Sequence, residues 1–167
     1  MAVVKVTLLA ASCSKENDDF QSPGLSLSDN SPVGKIVDYG PVSGNVRHMT
    51  LTLFNQGNVY DENSNIIIGK LNEISLDIFV EEDGLIPSGS YSFKGPETRE
   101  LNTFSNGSVT LQYVGQNVGS TKFSLTDGTL GVVNDNGLYN LNLTLTLDSG
   151  HLINISSNGS LSYKDSY

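Results

Sequence analysis

The chain has 167 residues, 37% of them hydrophobic, and a formal net charge of −9 from 18 acids against 9 Lys and Arg. That length fits one domain, able to bury roughly 70% of the surface its unfolded chain exposes, and with one Cys there is no intramolecular disulfide to help it. Sparse, unclustered basic residues exclude a nucleic-acid interface and electrostatic docking on an anionic bilayer, while 17 Gly and abundant Ser, Thr and Asn favour strands and turns over helices.

Near the N-terminus, Val6-Thr7-Leu8-Leu9-Ala10-Ala11-Ser12-Cys13 is an apolar run that closes on small residues before the cysteine, and Ser14-Lys15-Glu16-Asn17-Asp18-Asp19 then turns acidic. The first stretch resembles the lipobox of bacterial lipoproteins. The second resembles the acidic segment that follows the lipidated cysteine in surface-exposed lipoproteins of the Bacteroidota. The resemblance implies that Cys13 is the lipidation site, that residues 1–12 are a partial lipoprotein signal peptide, and that the protein is held at the outer membrane on the cell surface. Two departures stand beside it: Ala10 occupies the place where Leu is commonest, and the run before Cys13, with Lys5 as its basic residue, is shorter than the roughly 15–30 residues of a complete signal. The competing reading makes Val3-Val4-Lys5-Val6 a first strand or a tail, with Cys13 an ordinary small residue. If lipid is attached, each buried methylene contributes about 0.8 kcal/mol, and two or more acyl chains anchor stably. No apolar run is long enough to span a bilayer as a helix, so the lipid is the expected membrane partner.

Residues 13–32 read as the lipidated Cys and a flexible acidic and polar linker, broken at Gln21-Ser22-Pro23-Gly24 and at Asp29-Asn30-Ser31-Pro32. The domain, residues 33–167, announces itself by period-two patterning. Met49, Leu51 and Leu53 alternate with threonines, a polar loop is expected from Asn55 to Asn65, and Ile66-Ile67-Ile68-Gly69 is a short apolar run. Ile74, Leu76, Ile78 and Val80 alternate with polar residues up to a reversal at Asp83-Gly84. Short strands follow around Tyr91 and Phe93, over Ser108–Tyr113, and over Thr121–Leu125. Asp127-Gly128, Asp135-Asn136-Gly137, Asp148-Ser149-Gly150 and Asn158-Gly159 are each expected to turn one strand into the next, with Tyr139, Leu141, Leu143, Leu145 and Leu147 forming the most regular alternation. The pattern predicts an all-β fold: an antiparallel β-sandwich with meander and hairpin connections, or a small up-and-down β-barrel. The closing hairpins, ending in Asn158-Gly159-Ser160-Leu161-Ser162-Tyr163, also resemble those of uncharacterised β-sandwich lipoproteins of the Bacteroidota.

The chemistry in the sequence is spare. His48 and His151 are far apart and nothing marks a positioned partner, no nucleophile elbow or phosphate loop is present, and no catalytic residue, cofactor or enzyme activity is assigned. Asp61, Asn63 and Asn65 set oxygen donors at alternate positions, as a calcium loop begins; the imitation stops at Ile66, where that loop needs Gly, and at Asn72, where it needs a bidentate acid. Ordinary turn chemistry explains the same residues, so no metal site is assigned. The expected function is a non-catalytic binding or structural domain on a cell-surface lipoprotein. Its alternatives are an accessory glycan-binding lipoprotein, presenting Tyr39, Tyr60, Tyr91, Tyr113 or Phe104 as sugar platforms, and an adhesin or assembly subunit whose protein partner pairs along a sheet edge.

Overall fold

The computed structural model describes residues 33–81, 84–112 and 119–167; Cys13 and the linker to Pro32 lie outside them, as do Asp83 and Tyr113. Among the described residues the chain is all-β, with no helix. Eight strands form one continuous sheet: β1 (Gly34–Ser43), β2 (Val46–Asp61), β3 (Ile66–Val80), β4 (Gly89–Phe93), β5 (Thr103–Gln112), β6 (Ser120–Asp135), β7 (Leu138–Leu147) and β8 (Leu152–Asp165).

The hydrogen-bonded order is β1-β2-β3-β5-β4-β6-β7-β8, with β5 also pairing with β6, and β8 returns to pair with β1. The expectation of purely antiparallel pairing is corrected here. β1 runs parallel to β8, with Gly34 opposite Leu161 and Asp38 opposite Asp165, and short β4 runs parallel to β5. The hairpins are local and antiparallel, but β1 and β8 are separated by all the other strands, and β4 reaches β5 through residues 94–102 rather than a tight reversal, neither of which turn residues announce.

Alternation builds the core. β7 is buried at every second residue, Tyr139, Leu141, Leu143, Leu145 and Leu147, with Asn140, Asn142 and Thr144 on the solvent side. Facing residues from the other strands, among them Ile36, Leu51, Ile74, Leu76, Val109, Leu130 and Ile155, join the same cluster. Each such side chain fully removed from water contributes about 1.5–3 kcal/mol. Because the side-chain period is two, a slip of one residue would turn the whole set outward, so the core itself holds the register.

Three expected breaks prove to be continuous strand. β2 runs on through Gly57, Asn58, Val59 and Tyr60 to Asp61, so the expected loop shrinks to residues 62–65. Asp127-Gly128 is a bulge within β6: Leu125 pairs with Leu147 and Asp127 with Thr146, so Thr126 is the extra residue and the inward set shifts from Leu125 to Leu130 and Val132. Asn158-Gly159 lies inside β8, where a Cβ on Gly159 would come within 2.5 Å of Val33 Cγ1; this glycine serves close packing rather than a reversal. The turn expected at Asn136-Gly137 does form, with φ of 51° and 89°, the pair of positive values a two-residue hairpin loop needs.

One polar cluster ties the end of the chain to its first described strand. Asp38 points inward from β1, is fully buried, and accepts hydrogen bonds from Gly40 N (2.7 Å), Arg47 Nε (3.2 Å), Arg47 Nη2 (2.9 Å) and the Tyr163 hydroxyl (3.1 Å). The Arg47 guanidinium lies 4.8 Å from the Tyr167 ring centre, and Ser166 N donates to the Asp38 carbonyl at 2.9 Å. Burial pushes the Asp38 carboxyl up, but the donors from Gly40, Arg47 and Tyr163 outweigh it and hold the group below the ordinary carboxylate range.

Removing the buried carboxylate takes away the acceptor shared by the Gly40 N–H, the Arg47 guanidinium and the Tyr163 hydroxyl, a loss of about 3–5 kcal/mol. Asp38→Ala is therefore expected to lower unfolding stability by about that amount in urea titration. A loss below about 1 kcal/mol would mean that the cluster behaves as an exposed ion pair.

Candidate functional site

Asp61, the first residue of the calcium-like run, ends β2 and is buried. Its carboxylate is met by donors: Asn63 N (3.4 Å) and Leu152 N (3.0 Å) on Oδ1, Ser64 N (3.1 Å) and the Ser64 hydroxyl on Oδ2, with His151 Nδ1 3.4 Å from Oδ2. Asn65 takes a left-handed conformation, φ 53°, and returns its N–H to the Asp61 carbonyl at 2.7 Å. Asn63 thus contributes a backbone N–H to Asp61, and the arrangement closes the β2–β3 turn while stitching it to the start of β8. Among the described residues, no group of three or more His, Cys, Asp or Glu is placed to hold a metal ion.

The sugar-platform candidates separate by burial. Tyr91 and Phe104 are fully buried: the Tyr91 hydroxyl donates to the Pro87 carbonyl at 2.8 Å, and Phe104 meets Phe93 edge-on at 5.6 Å. Neither can present a face to solvent, because each occupies an inward position of its strand. Tyr60 is half-buried, and Tyr39 is 48% exposed on the outer face of β1.

Tyr39 belongs to a set that strand neighbours create. Its ring stacks on His48 at 5.0 Å, and the other face of His48 stacks on Phe79 at 5.3 Å, giving a row of three rings across β1, β2 and β3. Phe79 is buried yet stands apart from the main core cluster, covered on this outer side. His48 Nε2 lies 3.3 Å from Asp77 Oδ1, near enough for charge attraction but without hydrogen-bond alignment. The same Asp77 oxygen accepts the Thr50 hydroxyl at 2.9 Å, and Oδ2 accepts Asn106 Nδ2 at 3.3 Å. Burial pushes the Asp77 carboxyl up; His48, Thr50 and Asn106 together hold it below its ordinary value.

Asp77 opens onto a concavity of about 290 Å³ on the outer face of β3, β5 and β6, lined also by Ser75, Asn106, Gly107, Ser108, Lys122 and Ser124. Register produces this grouping, since Ser75 pairs with Ser108 and Ser108 with Ser124. The ladder between β3 and β5 shifts at Leu76/Ile78, opposite Gly107/Phe104, and this irregularity leaves Asn106 exposed beside Asp77. A Cβ on Gly107 would meet Leu125 Cδ1 at 2.5 Å and Leu76 Cδ2 at 2.9 Å, so only glycine lets β5 pack this closely. None of these lining residues stood out in the sequence. Ser75 and Asp77 read there as the wet side of a strand, and the signal that they face β5 and β6 residues lies in the strand order alone.

The donors around Asp61, the Ser64 hydroxyl foremost, lower its carboxyl to about 2 against burial, from an ordinary 3.8. A group whose folded pKa is depressed stabilises the fold above its unfolded pKa and loses that contribution as pH falls through the folded one. The Asp61 contribution is thus expected to be complete above pH 3.8 and to disappear toward pH 2. Melting temperature followed across that interval should fall less steeply in Asp61→Asn than in the parent, and parallel curves would remove Asp61 from the acid response. No protein-family model matches this chain, and neither the curated proteins nor the solved structures compared with it contain a match.

Proposed function

We propose that this chain is a cell-surface lipoprotein of the outer membrane, in which lipid on Cys13 carries a non-catalytic binding domain and the Asp77 concavity is the ligand site. The observation that carries the binding half is the state of Asp77. Its carboxylate, favoured by the neighbouring His48 and by donors from Thr50 and Asn106, is oriented by those two donors in an open polar hollow. A general acid or base works best with a pKa near the operating pH, whereas a carboxylate held in its charged form suits the acceptance of hydrogen bonds from a ligand. The lipid half is supported by the apolar run into Cys13 and by the acidic Ser14–Asp19 segment behind it.

For the finer architecture, the return of the ladder from β8 to β1 supports the barrel reading over the sandwich. It also favours ligand binding over an assembly subunit joined by edge pairing, because β1 is hydrogen-bonded on both sides.

Metabolic labelling with a fatty-acid analogue, followed by intact mass, tests the anchor on the full chain exported by a bacterium. The parent is expected to take up label and to fractionate with membranes, and Cys13→Ala to lose both. Equal labelling of the two proteins would overturn the lipoprotein reading.

A further inference from the structure

We infer that the outer-face concavity between β3, β5 and β6 is a subsite for a neutral saccharide, held by hydrogen bonds donated to Asp77 and exchanged with Asn106, Lys122 and the Ser75–Ser108–Ser124 row. This rests on the reading of the domain as a binding module and adds the class of ligand.

The lining chemistry selects that class. It offers one carboxylate, one ammonium, one amide and three hydroxyls, so the formal charges cancel while donors and acceptors are both plentiful. An apolar ligand would bury these groups without partners, at the desolvation cost of each. A polyanion would approach a protein of net charge −9 against its field and meet a carboxylate on arrival. A sugar ring presents hydroxyls that each donate and accept, which is what a mixed and neutral lining can satisfy. The volume, about 290 Å³, sits at the small end of ligand sites and suits one or two rings.

Asp77 and the serines are also positioned before any ligand arrives. Asp77 is fixed by Thr50 and Asn106 and backed by His48, which is itself clamped between Tyr39 and Phe79. The three serines are in register on adjacent antiparallel strands, about 4.8 Å from one to the next. Preorganisation of this kind reduces the ordering cost that weakens binding to mobile side chains. Asn106 and Lys122 are exposed and stand outside the core, so truncating them removes ligand contacts and spares the fold.

Affinity electrophoresis of the full chain through gels containing mannan, dextran, xyloglucan or, as the acidic comparison, polygalacturonate tests the assignment. At least one neutral polymer is expected to retard the protein and polygalacturonate to leave it unretarded. Asn106→Ala and Lys122→Ala should each weaken the retardation roughly tenfold, the worth of one good hydrogen bond to a charged or polar partner. Asn142→Ala, on the outer face of β7, should not. Melting temperatures of the three variants establish that they are folded. Absence of retardation by every neutral polymer, retardation by polygalacturonate alone, or equal retardation of parent, Asn106→Ala and Lys122→Ala would each overturn the saccharide assignment. Those results leave the Cys13 labelling outcome untouched, so failure of the ligand class and failure of the lipoprotein reading are separately visible.

Discussion

The sheet depends on β1 lying between β2 and β8. Hydrogen bonds to β2 on one side and to β8 on the other make the first described strand the closing member of the ladder. The contact with β8 joins residues more than a hundred positions apart, so its loop-closure entropy is offset only once the intervening hairpins have brought β8 into place. The Asp38 cluster stands at that junction. Arg47 comes from β2, Tyr163 from β8 and Asp38 from β1, so one buried carboxylate ties together the three strands that the closure requires.

A ring of strands with a filled interior leaves its outer face for function. Inward positions hold a continuous apolar cluster, and outward positions hold mostly Ser, Thr, Asn and a few charges, with the Tyr39–His48–Phe79 row and scattered apolar residues among them. Where pairing is regular, as on β7 and β8, the outer polar residues bond to one another, Thr144 to Asn154 at 2.7 Å and Ser156 to Asn142 at 2.8 Å. Where β5 shifts register against β3, the outer face is hollow instead. The same irregularity that interrupts the ladder therefore supplies a hollow shaped to receive a ligand. This is the common use of bulges, which re-aim side chains near sites.

The two histidines show how position decides role. Both lie beside an aspartate, His48 near Asp77 and His151 near Asp61. At Asp61 the neighbouring donors belong to the turn and to β8, and they consume the carboxylate in holding the fold together. At Asp77 the donors come from side chains on neighbouring strands and leave the carboxylate facing an open hollow. Similar local chemistry thus serves structure in one place and, in our reading, recognition in the other.

The alternations over Met49–Leu53, Ile74–Val80 and Tyr139–Leu147 determined by themselves that these segments are strands with one buried face, since a period of two has no other stable meaning. Asn136-Gly137 likewise determined its hairpin, because few other residue pairs accept two positive φ values. Asp127-Gly128 and Asn158-Gly159 carry the same local signal yet lie within strands, because glycine answers close approach as well as reversal and only the groups that approach them, the Thr144 carbonyl and Val33, decide which. The groove was illegible for a related reason. Asp77, Asn106 and Lys122 become neighbours through the order β3-β5-β6, and that order is settled by which strands can share a core, a global property that no local pattern in the chain encodes.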